Sequence, residues 1–481
     1  MNGGTDTDAH TAPQRVHYNV ILIVLSLAGT TFAMLQSLVV PALPAIQHAL
    51  HTSESGVAWI LTGYLLSASV LTPILGRVGD MIGKERVLIA VLLVLAFGSL
   101  VSALAPSLGV MIAGRVIQGA GGGVFPLAFA IVRDEFPRER VAGGIGLISS
   151  LLGIGGGLGL VLPGVIVDNL SYHWLFWLPM FAVLVTTVLT VRYIPESPVK
   201  TPGRINWRAA LLMSVGLSAV LIAITQTSNW GWGSAKTLGL IAAGSVVLGF
   251  WIRTELRANE PLIDMAMMRI RGVWTTNLVA FLLGVGMYAS FVVIPQFVET
   301  PRVSGYGFGA SITAAGLFML PAAIVQLLVG PASGRLERRL GSLNMLQAGT
   351  TSTFLSFLVF AAAHDQRWHI YAAAALLGLG IGLAFAALAN LIVDAVRQEQ
   401  TGVATGMNTV LRTLGGAFGA QVAATFIASS IGALGLPTEN GYTLAFGICA
   451  GALAIAVLVG FAIPRRGVGV RARVAAETAA G

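Results

Sequence analysis

"GRVGDMIG", residues Gly76–Gly83, returns 258 residues later as "GRLERRLG", Gly334–Gly341. A second set of matches keeps almost the same interval: Asp134, Glu139, Gly146, Gly155, Gly156 and Gly159 correspond to Asp394, Glu399, Gly406, Gly415, Gly416 and Gly419, 260 residues on. Two separate matches at one interval imply a chain made of two related halves.

Composition says what kind of chain is duplicated. Hydrophobic residues make up 56% of the 481 and charged residues 10%, against about 25% charged in soluble domains. The expectation is an all-α integral membrane protein. The first 18 residues are polar, and no short apolar segment ending in a small-residue cleavage site precedes the first apolar run, so no cleaved signal peptide is expected. Cys449, the single cysteine, lies in an apolar run and allows no intrachain disulfide. It reads as packing filler.

A spanning helix needs about 20 apolar residues. Fourteen such runs fall near 19–41, 55–77, 86–105, 109–132, 141–167, 172–192, 208–227, 237–252, 274–298, 309–331, 343–363, 368–395, 403–430 and 442–463, the eighth being the shortest. With the N-terminus inside, the outer loops hold only Lys236, Arg302 and Arg367, and Arg115 and Arg412 fall inside spans, which leaves 23 of 28 basic residues cytoplasmic. Lys and Arg collect in cytoplasmic loops, and a count wrong by one span would throw Arg335, Arg338 and Arg339 outside. The net charge of +8 therefore reads as orientation and attraction to lipid headgroups. Nucleic-acid binding would need a basic, aromatic-interleaved soluble surface, and the sequence has none.

The expected organisation is a cytoplasmic tail (1–18), a six-helix bundle (19–195), two inserted helices with polar linkers (196–272), a second six-helix bundle (273–464) and a cytoplasmic tail (465–481). Where transporters are built from such repeats, the substrate site lies between the halves near the midplane, and rocking opens it to each side in turn.

Four further stretches carry a family resemblance. "GRVGDMIGKERV" resembles the loop motif after helix 2 of the major facilitator superfamily, with Gly76, Asp80, Gly83, Lys84 and Arg86 in its positions. "RVIQGAGGGV" resembles the helix-4 motif at Arg115, Gln118 and Gly119, "GLISSLLGIGGGLGLVLPG" the antiporter motif of helix 5, and "VAWILTGYLLSASV" helix 2, with Trp59 and Tyr64 in place. The whole chain looks like one of the fourteen-span drug:proton antiporters. The resemblance implies the major facilitator fold, two six-helix bundles plus two inserted central helices. It also implies a monomer in the plasma membrane with both termini cytoplasmic, and no cofactor or metal.

The loop motif has a physical reading as well. Gly76 and Gly83 allow a tight turn, and Asp80 can accept hydrogen bonds from an opposing helix N-terminus or a basic partner; the alternative is an ordinary solvated loop. The motif usually has another arginine where this chain has Met81, and the second half has Arg338 in place of Asp80. Only the first half is expected to form a clasp. In helix 5, Gly153, Gly155, Gly156, Gly157 and Gly159 leave a strip without side chains, suited to close helix contact. The functional reading is a tight seam between the halves; the alternative is routine packing. Leu160 stands where the antiporter motif has proline, and Pro163 displaces any kink by three residues.

Coupling is harder to read. Many relatives carry an aspartate in helix 1, where "LQSLVVPALP" has Leu35 followed by Gln36, and none of the twenty acidic residues falls well inside a span. By elimination Asp168 and Glu299 are the candidate proton carriers, each also readable as an ordinary interfacial residue. A charge near the middle of a span costs roughly 2.5–3.5 kcal/mol. Arg115 lies about six residues, roughly 9 Å, into its span, and could snorkel to the outer interface. The resemblance instead turns Arg115 and Gln118 toward the cavity, where the arginine would attract an anion, a cargo carbonyl or Asp168. Arg412, deeper in span 13, is expected to share in the coupling. Gln36, Tyr64, Asn277, Tyr288, Gln296, Gln326, Asn390 and Asn408 are polar groups on helices that line the cavity in this superfamily; each faces the cavity or a partner helix, because unpaired burial is costly.

Export of small amphipathic compounds, antibiotics or metabolites, driven by protons, is the favoured function. The alternative is an uncoupled or differently coupled exporter of lipid-like molecules. A membrane enzyme would need a nucleophile with a base or clustered metal ligands, and the spans offer neither.

Overall fold

The computed structural model describes residues 17–464 apart from 198, 202, 433 and 434, and apart from the side chains at 44, 54, 55, 58, 152–154, 156–158, 160, 161, 164, 168 and 312. Among these the chain is helical, with no strands. The first bundle contains α1 (Tyr18–Ser37), α2 (Val39–Ala49), α3 (Glu54–Ile82), α4 (Lys84–Ala103), α5 (Leu108–Gln118), α6 (Val124–Glu135), α7 (Arg138–Asn169) and α8 (Trp174–Tyr193). Then come α9 (Trp207–Thr225), α10 (Thr227–Trp230), α11 (Ala235–Arg257) and α12 (Met265–Met268). The second bundle contains α13 (Arg271–Glu299), α14 (Ile312–Leu340), α15 (Ser342–Ala362), α16 (Arg367–Ala395), α17 (Thr401–Ala428) and α18 (Glu439–Gly460).

Thirteen helical segments are long and apolar enough to cross a membrane among the described residues. The 32-residue α7, packed along α1 and α14, makes fourteen rods. Each bundle has its own core: Leu25, Phe125 and Leu88 with their neighbours in the first, Phe357, Phe446 and Leu283 with theirs in the second. The bundles meet along α3 against α17 and along α7 against α14 and α16. α9 and α11 pack on each other, and α9 leans on α3 and α17. The "near face" below is the one where α1 begins, and the "far face" is opposite.

Local chemistry explains the boundaries. Ser53, Ser234 and Ser311 cap α3, α11 and α14 by accepting from the N–H three residues on. Gly83 (φ +128°) and Gly341 (φ +77°) occupy matching turns after α3 and α14, where a side chain would be strained. The helices overrun the expected span ends: α3 continues to Ile82 and α14 to Leu340. Gly76 is therefore inside a helix, and only Gly83 makes a turn. The overrun also carries Asp80 and Glu337 into spanning helices, near their ends, where the sequence places them in loops.

The "GAGGG" of Gly119–Gly123 winds as a 3₁₀ turn between α5 and α6. Ser67 in α3 donates to Val116 O there at 2.6 Å, satisfying a carbonyl beside the change in winding.

Candidate functional site

The near face is shut by backbone approach. A Cβ on Gly76 would lie 2.5 Å from Gly402 O, and one on Gly334 would lie 2.6 Å from Gly143 Cα. Glycine at these points lets α3 meet α17, and α14 meet α7, with no side chain between them. Asp80, buried beside this contact, accepts from Val403 N at 3.2 Å through Oδ2, at the N-terminal turn of α17. The free N–H groups and positive dipole end of that turn suit a carboxylate.

Charged groups of the first bundle reach across beside it. Arg133 donates to Val396 O at 3.0 Å, Arg397 O at 3.2 Å and Thr401 Oγ1 at 2.6 Å, bracing the junction of α16 and α17. Asp134 binds Lys84 of its own half and Ser197 of the following linker, and accepts from Gln398 Nε2 of the other half at 2.9 Å. Fully buried Lys84 also donates to Val199 O at 3.2 Å, pinning the linker. Arg86 pairs with Glu196 at 3.2 Å on the exposed rim. In the second half Glu337 accepts from Ser342 and Asn390, while Asn390 also donates to Ala142 O of α7 at 3.3 Å.

Toward the far face the bundles part around a chambered cavity. The outer chamber, about 280 Å³, is bounded by Trp59, Gln226, Asn229 and Gln421 among others. An inner chamber of about 70 Å³ lies deeper, among Phe32, Phe125, Gln326, Phe385 and Arg412. Gln36, Tyr64, Tyr288 and Phe291 belong to both. Gln36 Nε2 in α1 donates to Tyr288 Oη in α13 at 2.9 Å, a bond between the bundles at the septum. Below the inner chamber a pocket of about 10 Å³ is lined by Ser149, Thr405, Asn408 and Arg412.

The two membrane arginines differ. Arg115 is wholly buried inside the first bundle, with Nε donating to Ile60 O (3.4 Å) and Nη1 to Leu35 O (3.3 Å) and Gln118 Oε1 (2.6 Å). Its guanidinium lies 4.4 Å from the Tyr64 ring centroid, and the other face of this packing is the cavity wall. It neither snorkels nor reaches the cavity: Tyr64 stands between. Gln118 passes the bond on to Ser99 at 3.0 Å. Arg412 lines the inner chamber, 4.5 Å from the Phe385 ring centroid, and none of the described carboxylates forms an ion pair with it.

The remaining expected residues sort as follows. Gln36, Tyr64, Tyr288 and Gln326 line the chambers, and Asn408 the deep pocket. Four others lie away from the chambers. Asn277 is buried behind the wall, accepting from Asn408 at 2.9 Å; Gln296 is exposed on α13; Asn390 serves the closed face; Glu299, half-buried at the far end of α13, lines none of these cavities.

Of the two readings of the glycine strip, the contacts of Gly155 and Gly159 match helix packing within one half. Gly155 and Gly159 pack on Ala33 and Ser37 of α1, in their own half, as Gly415 and Gly419 pack on Phe281 and Val285 of α13. The inter-half seam of α7 lies nearer its start, at Gly143 and Gly146. Pro163 is buried within α7. The packing around Gly153, Gly156, Gly157 and Asp168 lies outside the described residues. Away from the cavity, His364, Asp365 and Glu439 bring three potential ligand atoms within 4.8 Å on the far-face rim, where His364 Nε2 meets Glu439 at 2.8 Å.

Sequence reading missed Arg133 and Glu337 as bracing groups. The available signals were their helix-end positions and, for Arg133, its place beside the repeated Asp134.

A family model described as Major Facilitator Superfamily matches residues 25–420. The chain belongs to the Major Facilitator Superfamily. That family is one of multi-pass membrane transporters and not of enzymes. It is 28% identical over 413 residues to an uncharacterized MFS-type transporter of Mycobacterium tuberculosis, matching 84% of this chain but only 58% of that protein's length. It is 26% identical to multidrug resistance protein 3 of Bacillus subtilis, over 76% of this chain and 72% of the relative. It is also 27% identical to a uridine/deoxyuridine transporter of Lactococcus lactis, over 84% and 87%. The human organic anion transporter MFSD10 (TETRAN) superposes with TM-score 0.67 at 15% identity, covering 92% of this chain and 99% of that one, a likeness of fold.

Proposed function

We propose that this major facilitator transporter exports small amphipathic compounds, antibiotics or metabolites, across the plasma membrane by alternating access, as a monomer with both termini cytoplasmic. The two bundles rock as units, and the structure is the outward-open state. One observation carries this reading: backbone contact seals the near face while a chambered cavity between the bundles opens toward the far face. The near face becomes cytoplasmic by its basic loops, including Arg138, Arg140, Arg335, Arg338 and Arg339. In this reading Gly76 and Asp80 form the clasp with α17, which Lys84 and Arg86 support from behind.

Proton entry is the drive that the family pattern suggests. A second reading, export without proton coupling, is favoured by a specific feature: no Asp or Glu is among the described residues lining the chambers. Proteoliposomes loaded with a panel of radiolabelled antibiotics and metabolites test both. Protein-dependent release of any member, faster with an imposed pH gradient, supports proton-driven export; release indifferent to the gradient supports the second reading. No release of any member contradicts export.

A further inference from the structure

We propose that the inner chamber holds the anionic head of an amphipathic organic monoanion, a carboxylate or sulfonate, with Arg412 as its principal ligand. This deepens the export reading and rests on it. The contrast with Arg115 is the starting point. Arg115 bonds two carbonyls and an amide oxygen through Nε and Nη1 and stacks on an aromatic face, all within one bundle, with Nη2 left without an acceptor. Arg412 has the Phe385 ring and open space. A guanidinium kept at membrane depth without an acceptor is costly, and an acceptor delivered by cargo removes that cost.

Other lining groups can donate to the same anion. Tyr64 Oη, Ser69 Oγ and Gln326 Nε2 in the inner chamber, and Ser149 Oγ below it, are buried with no hydrogen-bond partner. The hydroxyls and the amide can all donate, as can the five N–H groups of the arginine. A carboxylate or sulfonate oxygen answers this set, and the guanidinium fork can hold two oxygens of either anion bidentately. A cationic cargo would meet Arg412, and no carboxylate is among the described lining residues to pair with it. Phe32, Phe125 and Phe291 supply an apolar wall for the body, which extends past the Gln36–Tyr288 septum into the outer chamber. An exported monoanion also moves down an interior-negative membrane potential, so the carrier needs no titrating carboxylate in its cavity.

The test uses one ring system with and without charge: 8-anilinonaphthalene-1-sulfonate and neutral N-phenyl-1-naphthylamine. Binding is measured to full-length protein in phosphatidylethanolamine–phosphatidylglycerol nanodiscs, with empty discs as blank. Wild type should bind the sulfonate at least about tenfold more tightly than the amine. Arg412→Gln should lose about tenfold for the sulfonate and stay within about twofold for the amine, with Arg412→Lys between because it lacks the planar fork. Equal or inverted wild-type preference overturns the proposal, as does an equal loss of both probes in Arg412→Gln. If that variant does not fold, the wild-type preference decides alone.

In proteoliposomes of the same lipids, a valinomycin potential, interior negative, should speed release of the sulfonate only. Release of the amine but not the sulfonate would leave export standing and remove the anion. Release of neither would remove both.

Discussion

The near and far faces are made from the same repeated helices, yet one is sealed and the other open. On the near face α3 meets α17 and α7 meets α14 at glycines, Gly76 with Gly402 and Gly143 with Gly334, and polar side chains gather around the contact: Asp80, Arg133, Asp134 and Gln398. Toward the far face a neutral hydrogen bond, Gln36 to Tyr288, joins the bundles across the septum among the described residues, with aromatic and amide side chains around it. Charge-assisted bonds contribute about 1.5–3 kcal/mol each, neutral ones about 1. The difference teaches where this chain stores its conformational bias: in helix ends on one side, leaving the other free to admit cargo.

The strongest way to break that asymmetry is Gly76→Leu. The side chain would collide with the backbone of Gly402, which cannot turn aside as a side chain can. Overpacking of this kind costs about 1–3 kcal/mol, and because the collision exists only in the closed arrangement, it shifts the equilibrium by about 5- to 150-fold. Export per molecule should fall at least about tenfold at near-normal abundance. Unchanged export would show that the face never needs to close so tightly.

How much of this was legible in residues is itself instructive. The fourteen apolar runs and the repeat at Gly76 and Gly334 were readable because a spanning helix must be long and apolar, and a turn such as that at Gly83 must be glycine. The facing of individual polar residues was not. Lipid tails are as apolar as leucine, so a span carries little contrast between its lipid and protein sides; Gln296 on the exposed side of α13 and Gln326 on the cavity look alike in sequence. Arg115 and Arg412 were likewise indistinguishable as charges. What separates them is Tyr64, 51 residues before Arg115 in sequence and in contact with it only once α3 packs on α5.

Arg133→Ala should come next in effect. It removes three donors to the α16–α17 junction, and turnover should drop by about tenfold, with Arg133→Lys recovering only part because the compact ammonium lacks the planar fork that spans these acceptors. Initial rates in proteoliposomes at matched protein content measure this. Wild-type rates in the alanine variant would reduce Arg133 to a surface contact.

Asp80→Asn is milder. It keeps an acceptor for Val403 N but removes the charge facing the α17 N-terminus, worth about 0.3–1 kcal/mol. A slowing of about two- to fivefold is expected, with normal insertion. An effect as large as that of Gly76→Leu would assign Asp80 a role beyond the helix end.

Gly159→Leu sharpens the comparison by leaving it alone. Its neighbour is Ser37 in the same bundle, so the cost of about 1–3 kcal/mol should appear as a fall in Tm of several degrees. Distances between the bundles should not change. A shift in those distances would return the strip to the seam between halves.

The most direct measurement is the pair of distances across the two faces. In a Cys449→Ser background, spin labels at Arg138→Cys and Arg339→Cys report the near face, and labels at Ser107→Cys and Arg367→Cys the far face, all four positions being exposed. In nanodiscs without cargo the near-face pair should give one short, narrow distribution and the far-face pair a longer one. Gly76→Leu should lengthen the first and shorten the second together. A long, broad near-face distribution in the wild type, or a Gly76→Leu protein in which neither distance moves, would contradict alternating access from this closed face.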